Sequence, residues 1–269
     1  MKKIGIFDSG VGGKKVELDL LRQFSQLDLR KTSDTPGLPS EDSEVLLSNG
    51  SDVDASVTAL KSSLDFGGDP GDLGILRKSS KVETILLTDQ KNLPYGSKTP
   101  QELIELIWPF IKQFEQSNVD LILIACNTVT TNLIDRLRQL TPIPLVGFEP
   151  AIKLAASQSK TGSITVCATS ATLGSHRYQS LIRAHGKNLN IYQPDCTDWA
   201  RLIESSSLTD QILREIVDQS IQHNADIILL GCTHYHWIED RLNDLCPDGL
   251  RVIQPTEAVF RQIARLLKL

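Results

Sequence analysis

Apolar residues along this chain fall into short unbroken runs separated by longer stretches in which they recur every three or four positions. Ile4–Phe7, Thr84–Thr88, Leu121–Ala125, Leu145–Phe148, Ser163–Ala168 and Ile227–Leu230 are the runs. Near-continuous apolarity of that length suits strands covered on both faces, the habit of parallel sheets. Between them, Glu102–Glu115 aligns Leu103, Ile107, Phe110, Ile111 and Phe114 on one side of a helix. Thr209–His223 does the same with Ile212, Ile216 and Ile221, and Glu257–Leu267 closes the chain as a helix. Strand–helix alternation predicts an α/β fold with mostly parallel sheets.

One stretch breaks the alternation. Residues 31–70 hold 8 Ser, 6 Asp, 4 Gly and 3 Pro, so little apolar surface is available to offset ordering entropy. A flexible insertion is expected there, with Val16, Leu20, Leu21, Phe24 and Leu27 forming a helix face before it.

The 269 residues are enough for a large core, and a net charge of −5 argues against a dominant nucleic-acid-binding face. No apolar run reaches the roughly 18–20 residues of a membrane helix. The opening Met1–Asp8 does not read as a signal peptide, because Asp8 ends its apolar part. A cytoplasmic protein is expected, without nucleic-acid or membrane partners. Cys126, Cys167, Cys196, Cys232 and Cys246 show neither CxxC nor zinc-finger spacing and read as free thiols.

Three segments at predicted strand ends carry candidate chemistry. Asp8-Ser9-Gly10-Val11-Gly12-Gly13 follows the first strand, and its glycines allow a sharp turn and close backbone approach. It lacks the spacing of a dinucleotide or Walker loop. Cys126-Asn127-Thr128 follows Leu121–Ala125, and Cys232-Thr233-His234-Tyr235 follows Ile227–Leu230. Ligands of open α/β sheets bind beyond the carboxyl ends of the strands. A single such Cys is ordinarily a small core hydrophobe. Two in matching contexts suggest two halves facing one cleft. Two thiols can invert a carbon centre, one removing a proton as thiolate while the other returns one as thiol. Asp8 and His234 are the neighbours placed to set those protonation states.

With these motifs the chain resembles the glutamate racemases of the aspartate/glutamate racemase group. The matching segments are IGIFDSGVGG (4–13), LPYGSKT (93–99), ACNT (125–128), VGFEPAIKLAA (146–156), GCTHY (231–235) and the tail from Thr256 to Val259. The resemblance implies two similar α/β domains with the active site in the cleft between them. The expected division is 1–147 with 253–269, carrying the insertion at about 14–70, and 148–252. It implies cofactor-free chemistry with no metal, Cys126 and Cys232 as acid/base pair, and assistance from Asp8, His234 and Glu149. Ser9, Tyr95, Gly96, Asn127, Thr128 and Thr233 would bind substrate, with Thr169 and Thr172 more loosely matched. It further implies D-glutamate supply for peptidoglycan, hence cell-wall biogenesis and cell shape, and related enzymes are often homodimers. Two alternatives stay open: racemisation of aspartate or another acidic amino acid, or a catalytically impaired amino-acid-binding relative. The second arises because LGILRK (73–78) looks like a displaced continuation of GVGG, so that 14–28 and 73–80 compete for one helix position. Cys167, Cys196 and Cys246 read as structural, and His236 and Trp237 as packing residues. In isolation, Tyr95 fits a turn and His234 a helix start.

Overall fold

A computed structural model of the chain describes residues 1–31, 75–79 and 81–269. Among the described residues, the first of two sheets has the order β2-β3-β1-β4-β5. Its strands are β1 (Lys2–Asp8), β2 (Ile75–Lys78), β3 (Val82–Thr88), β4 (Leu121–Ile124) and β5 (Leu145–Gly147). All neighbours run parallel except β2, which lies antiparallel on β3 at the edge. The second sheet has the order β7-β6-β8-β9 and is parallel throughout. Its strands are β6 (Ser163–Cys167), β7 (Asn190–Tyr192), β8 (Ile227–Leu230) and β9 (Arg251–Ile253).

The helices are α1 (Gly12–Lys31), α2 (Pro100–Gln116), α3 (Asn127–Leu140), α4 (Ile152–Gln158), α5 (Ser170–Gly174), α6 (His176–His185), α7 (Trp199–Glu204), α8 (Asp210–Gln222), α9 (Glu239–Leu245) and α10 (Thr256–Leu267). None among the described residues is long and apolar enough to cross a membrane.

The period of two along the strands divides the core of the first sheet. Ile4, Ile6, Leu121 and Leu123 face one side, where they meet Val16, Leu20 and Phe24 of α1 and Phe260 and Ile263 of α10. Phe7, Ile122 and Ile124 face the other, against Leu103, Ile107, Ile111 and Phe114 of α2 and Leu133 and Leu137 of α3. α2 starts sharply because Thr99 and Glu102 form a capping box, each side chain bonded to the other's backbone N–H. In the second sheet, Cys167, Ile228 and Leu230 pack on Leu213, Ile216 and Val217 of α8.

The fold class is the one expected, and six strands lie where the apolar runs placed them. The competition after Gly13 is resolved against the sequence reading. Residues 14–31 continue straight from the glycine loop as α1, because Val16, Leu20 and Phe24 recur every four positions and bury completely against the sheet. Ile75–Lys78 is not a displaced helix start but the edge strand β2. Arg77 secures it there by an ion pair of 2.7 Å to Glu17 of α1, whose other carboxylate oxygen accepts from Thr84 of β3 at 2.7 Å. The remainder of the expected insertion, 32–70, and Leu27's side chain lie outside the described residues. β7 and β9, three residues each, carried no run long enough to be seen.

Candidate functional site

The carboxyl ends of β1 and β4, neighbours in the first sheet, and of β8 in the second deliver polar side chains to one buried cluster. Asp8 is the last residue of β1 and has no exposed surface. Its Oδ2 accepts from the backbone N–H of Gly10 (3.1 Å) and Gly13 (2.8 Å), and its Oδ1 accepts from the Thr233 hydroxyl at 3.1 Å. One carboxylate therefore closes the glycine loop and ties it to the second sheet's strand end. Burial raises the Asp8 pKa, while the charge on His234 and these hydrogen bonds pull the other way.

Cys126 caps the N-terminus of α3, and Cys232 precedes the 3-10 turn Thr233–Ile238; both are buried. The Cys126 sulfur lies 3.3 Å from the Ser9 hydroxyl. Its thiol is pushed up to about 12, first by burial and then by the Asp8 charge, against the opposing pull of Ser9 and the Val129 N–H. The Cys232 charge adds to that rise. Cys232 has a different neighbour: its sulfur lies 3.8 Å from Nδ1 of His234.

His234 is almost fully buried, which by itself would lower its pKa. Hydrogen bonds to Cys232 and Glu204, with the charges of Cys232 and Asp8, prevail and raise it well above the ordinary value. Its Nε2 lies 2.8 Å from Oε1 of Glu204, and the same oxygen accepts the Val11 N–H at 2.9 Å. The glycines of the loop now have a steric reason. A Cβ on Gly10 would come within 2.3 Å of the Glu204 carboxylate and 2.5 Å of His234 Nε2, and one on Gly12 within 2.7 Å of Thr233.

Asn127 is 2% exposed, and neither its amide nitrogen nor its carbonyl oxygen has a hydrogen-bond partner. Such a group costs stability unless something satisfies it, and it sits directly beside Cys126. Thr128 bonds Thr169 across the two halves at 3.0 Å, Thr169 bonds Thr172 at 3.0 Å, and Gly96 faces the Thr169 side chain. Asp8, Ser9, Gly96, Cys126, Asn127, Thr128, Cys232, Thr233 and His234 are thus gathered where the two sheets meet.

Two further expected residues have polar partners of their own. Tyr95 is buried against Phe7, but its hydroxyl donates to Asp89 at 2.6 Å and forms wall rather than a free donor. The Glu149 carboxylate accepts from the Arg177 guanidinium. Cys167 and Cys196 are core residues of the second sheet, as read from sequence, while Cys246 is only partly buried at its margin. His236 packs on Phe148, and Trp237 donates to the Val11 carbonyl at 3.1 Å.

Glu204 and Asp89 escaped the sequence reading. Asp89 had a usable signal, since it follows β3 directly and strand ends are where polar site residues collect. Glu204 had none: it ends a short helix, and nothing in the chain links it to His234 before folding.

Paired α/β units thus bring two thiols and a closed polar cluster to neighbouring strand ends. The chain belongs to the Asp/Glu/hydantoin racemase family, which it matches over residues 77–263. It is 32% identical over 212 residues to a glutamate racemase of Clostridium perfringens, covering 76% of this chain and 82% of the relative. A glutamate racemase of Herpetosiphon aurantiacus is 34% identical over 189 residues, 69% of this chain and 74% of that one. In fold, the structure resembles Escherichia coli glutamate racemase crystallised with L-glutamate and the activator UDP-MurNAc-Ala. The TM-score is 0.71 at 23% identity, over 99% of this chain and 82% of the other.

Proposed function

We propose that this protein interconverts L- and D-glutamate by proton transfer through Cys126 and Cys232. The observation that carries the proposal is the placement of these thiols. Each stands at the end of a buried strand, one in each sheet, the two strand ends joined by the Thr233–Asp8 hydrogen bond, with the unsatisfied Asn127 amide beside Cys126. The Cα proton of an amino acid is weakly acidic, so the charge developing on Cα and carboxylate needs fixed donors in a site shielded from bulk water. Asn127 and the backbone N–H groups at the start of α3 are the donors available. One thiolate removes the proton from one face, the opposite thiol delivers one to the other, and the roles exchange for the reverse reaction.

In this reading the chain divides into 1–147 with 253–269 and 148–252. Packing of α10 on the first sheet supports that division. The product, D-glutamate, would serve peptidoglycan synthesis in the cytoplasm. Identity above 30% to glutamate racemases favours glutamate over aspartate. The uninterrupted run from the glycine loop into α1, with both thiols present, favours turnover over an impaired binding protein.

Incubation with L-glutamate in D₂O, following optical rotation and deuterium at Cα, tests the proposal. Inversion with exchange is expected, abolished by Cys126→Ala and by Cys232→Ala. A folded protein that neither inverts nor exchanges glutamate would overturn it, and exchange with aspartate alone would move the assignment to that substrate.

A further inference from the structure

The two thiols occupy matching strand ends but unequal surroundings. Cys126 has a hydroxyl, a helix N–H and a repelling carboxylate. Cys232 has an imidazole, and behind it the Glu204 carboxylate. Glu204 Oε1 holds His234 Nε2 at 2.8 Å and is itself fixed by the Val11 N–H at 2.9 Å, so turning the ring would break its bond to a carboxylate that the loop holds in place. We propose that Glu204 is a positioning residue for Cys232: by fixing His234 it aims Nδ1 at the sulfur and sets the reactivity of that thiol. This rests on the two-thiol reading of the site.

The geometry constrains the tautomer. With Nε2–H donated to Glu204, Nδ1 is the nitrogen left to face Cys232, 3.8 Å away. A carboxylate on the far side of an imidazole favours its charged form, and a charged ring donates to a thiolate rather than accepting from a thiol. The groups facing His234 agree. Asp8 from β1 and Glu204 from α7 are acidic, and Lys14 of α1 interacts with Glu204. His236, two positions along, stays neutral, driven down to about 3 by burial and then by the charges of Lys15 and His234. The Glu204 side chain is only 20% exposed and that of His234 3%, so the pair is little screened by solvent. Gly10 is what permits it, since any side chain there would occupy the space of both groups.

The test is peptide-resolved alkylation of the full-length protein by iodoacetamide at pH 7, following Cys232 and Cys126 separately. Because the thiolate is the species alkylated, Glu204→Gln should slow labelling of Cys232 about tenfold, the size expected for losing a charge-assisted hydrogen bond. Labelling of Cys126 should stay within about twofold. In a His234→Asn background, Glu204→Gln should add nothing. Glu204→Asp, which keeps the charge but withdraws it by one methylene, should fall between wild type and the Gln variant. Unfolding would reveal itself as labelling of the core thiols Cys167 and Cys196, and the Asp variant then decides.

Unchanged Cys232 labelling in a folded Gln or Asp variant would overturn the proposal. So would an equal change at both thiols, or an effect of Glu204→Gln that persists without His234. No substrate is present in the experiment, so its outcome is independent of whether glutamate proves to be the molecule racemised.

Discussion

His234 stores part of its stabilising effect in a proton. Burial alone would discharge the ring, but Cys232, Glu204 and Asp8 hold the proton on, so the folded protein binds it more tightly than the unfolded chain does. A group whose pKa rises on folding stabilises most below its unfolded value, about 6.5 for His, and loses that contribution as the pH climbs through the folded value. The stability gap between wild type and His234→Gln, measured by urea denaturation, should therefore be largest at pH 6 and shrink toward pH 9. A gap that is flat or grows with pH would mean the ring is neutral in the fold. At this scale the sequence was legible wherever a residue's role followed from its place at a strand end. Asp8, Cys126 and Cys232 belong to that group, as does Asn127. It was illegible where the role depends on a partner from the other half. Glu204 meets His234 thirty positions on, and Val11 on the first loop, only after both sheets are assembled.

Among the elements, the least legible was β2. Four residues with a basic end say little by themselves, and the resemblance of LGILRK to a helix start outweighed them. What settles the assignment is a non-local pair. Glu17 of α1 has a fully buried side chain, and Arg77 of β2 is 13% exposed. Burial raises the Glu17 pKa, with Thr84 and Arg77 opposing it. Removing one member of such a pair strands the other charge, so Glu17→Ala should cost about 3 kcal/mol or more. Replacing both members with apolar residues of similar size should cost much less, and chemical denaturation of the single and double variants measures the difference. Equal losses in the two would mean that packing, not charge, fixes the edge strand. The long strands were readable for the opposite reason: β1, β3, β4, β6 and β8 are covered on both faces, and that demand writes itself as an unbroken apolar run.

Across the whole molecule, the two halves are joined through polar contacts that are also the site. Thr233 to Asp8, Val11 to Glu204, Trp237 to Val11 and Thr128 to Thr169 all cross from one sheet's elements to the other's. A ligand filling the space between them would satisfy Asn127 and bridge both halves at once. D-glutamate at about 100 times its dissociation constant should add about 2.7 kcal/mol to the unfolding free energy. Calorimetry should show a single transition moving upward as a unit. Stabilisation of one transition while another stays put would place the ligand within one half only.

The unequal settings of the two sulfurs have a consequence in time. Mirror-image substrates have equal free energy, so no arrangement of the protein can favour one of them at equilibrium. The enzyme itself is not symmetric. In the proposed two-thiol cycle, each turnover exchanges the protonation states of the two sulfurs, and their unequal neighbours would give those two forms different energies. The protein would then carry a memory of the hand it last consumed. Under heavy flux in one direction, its speed would be set by how fast that memory is erased, whether by a proton exchanged with water or by an encounter with the opposite hand.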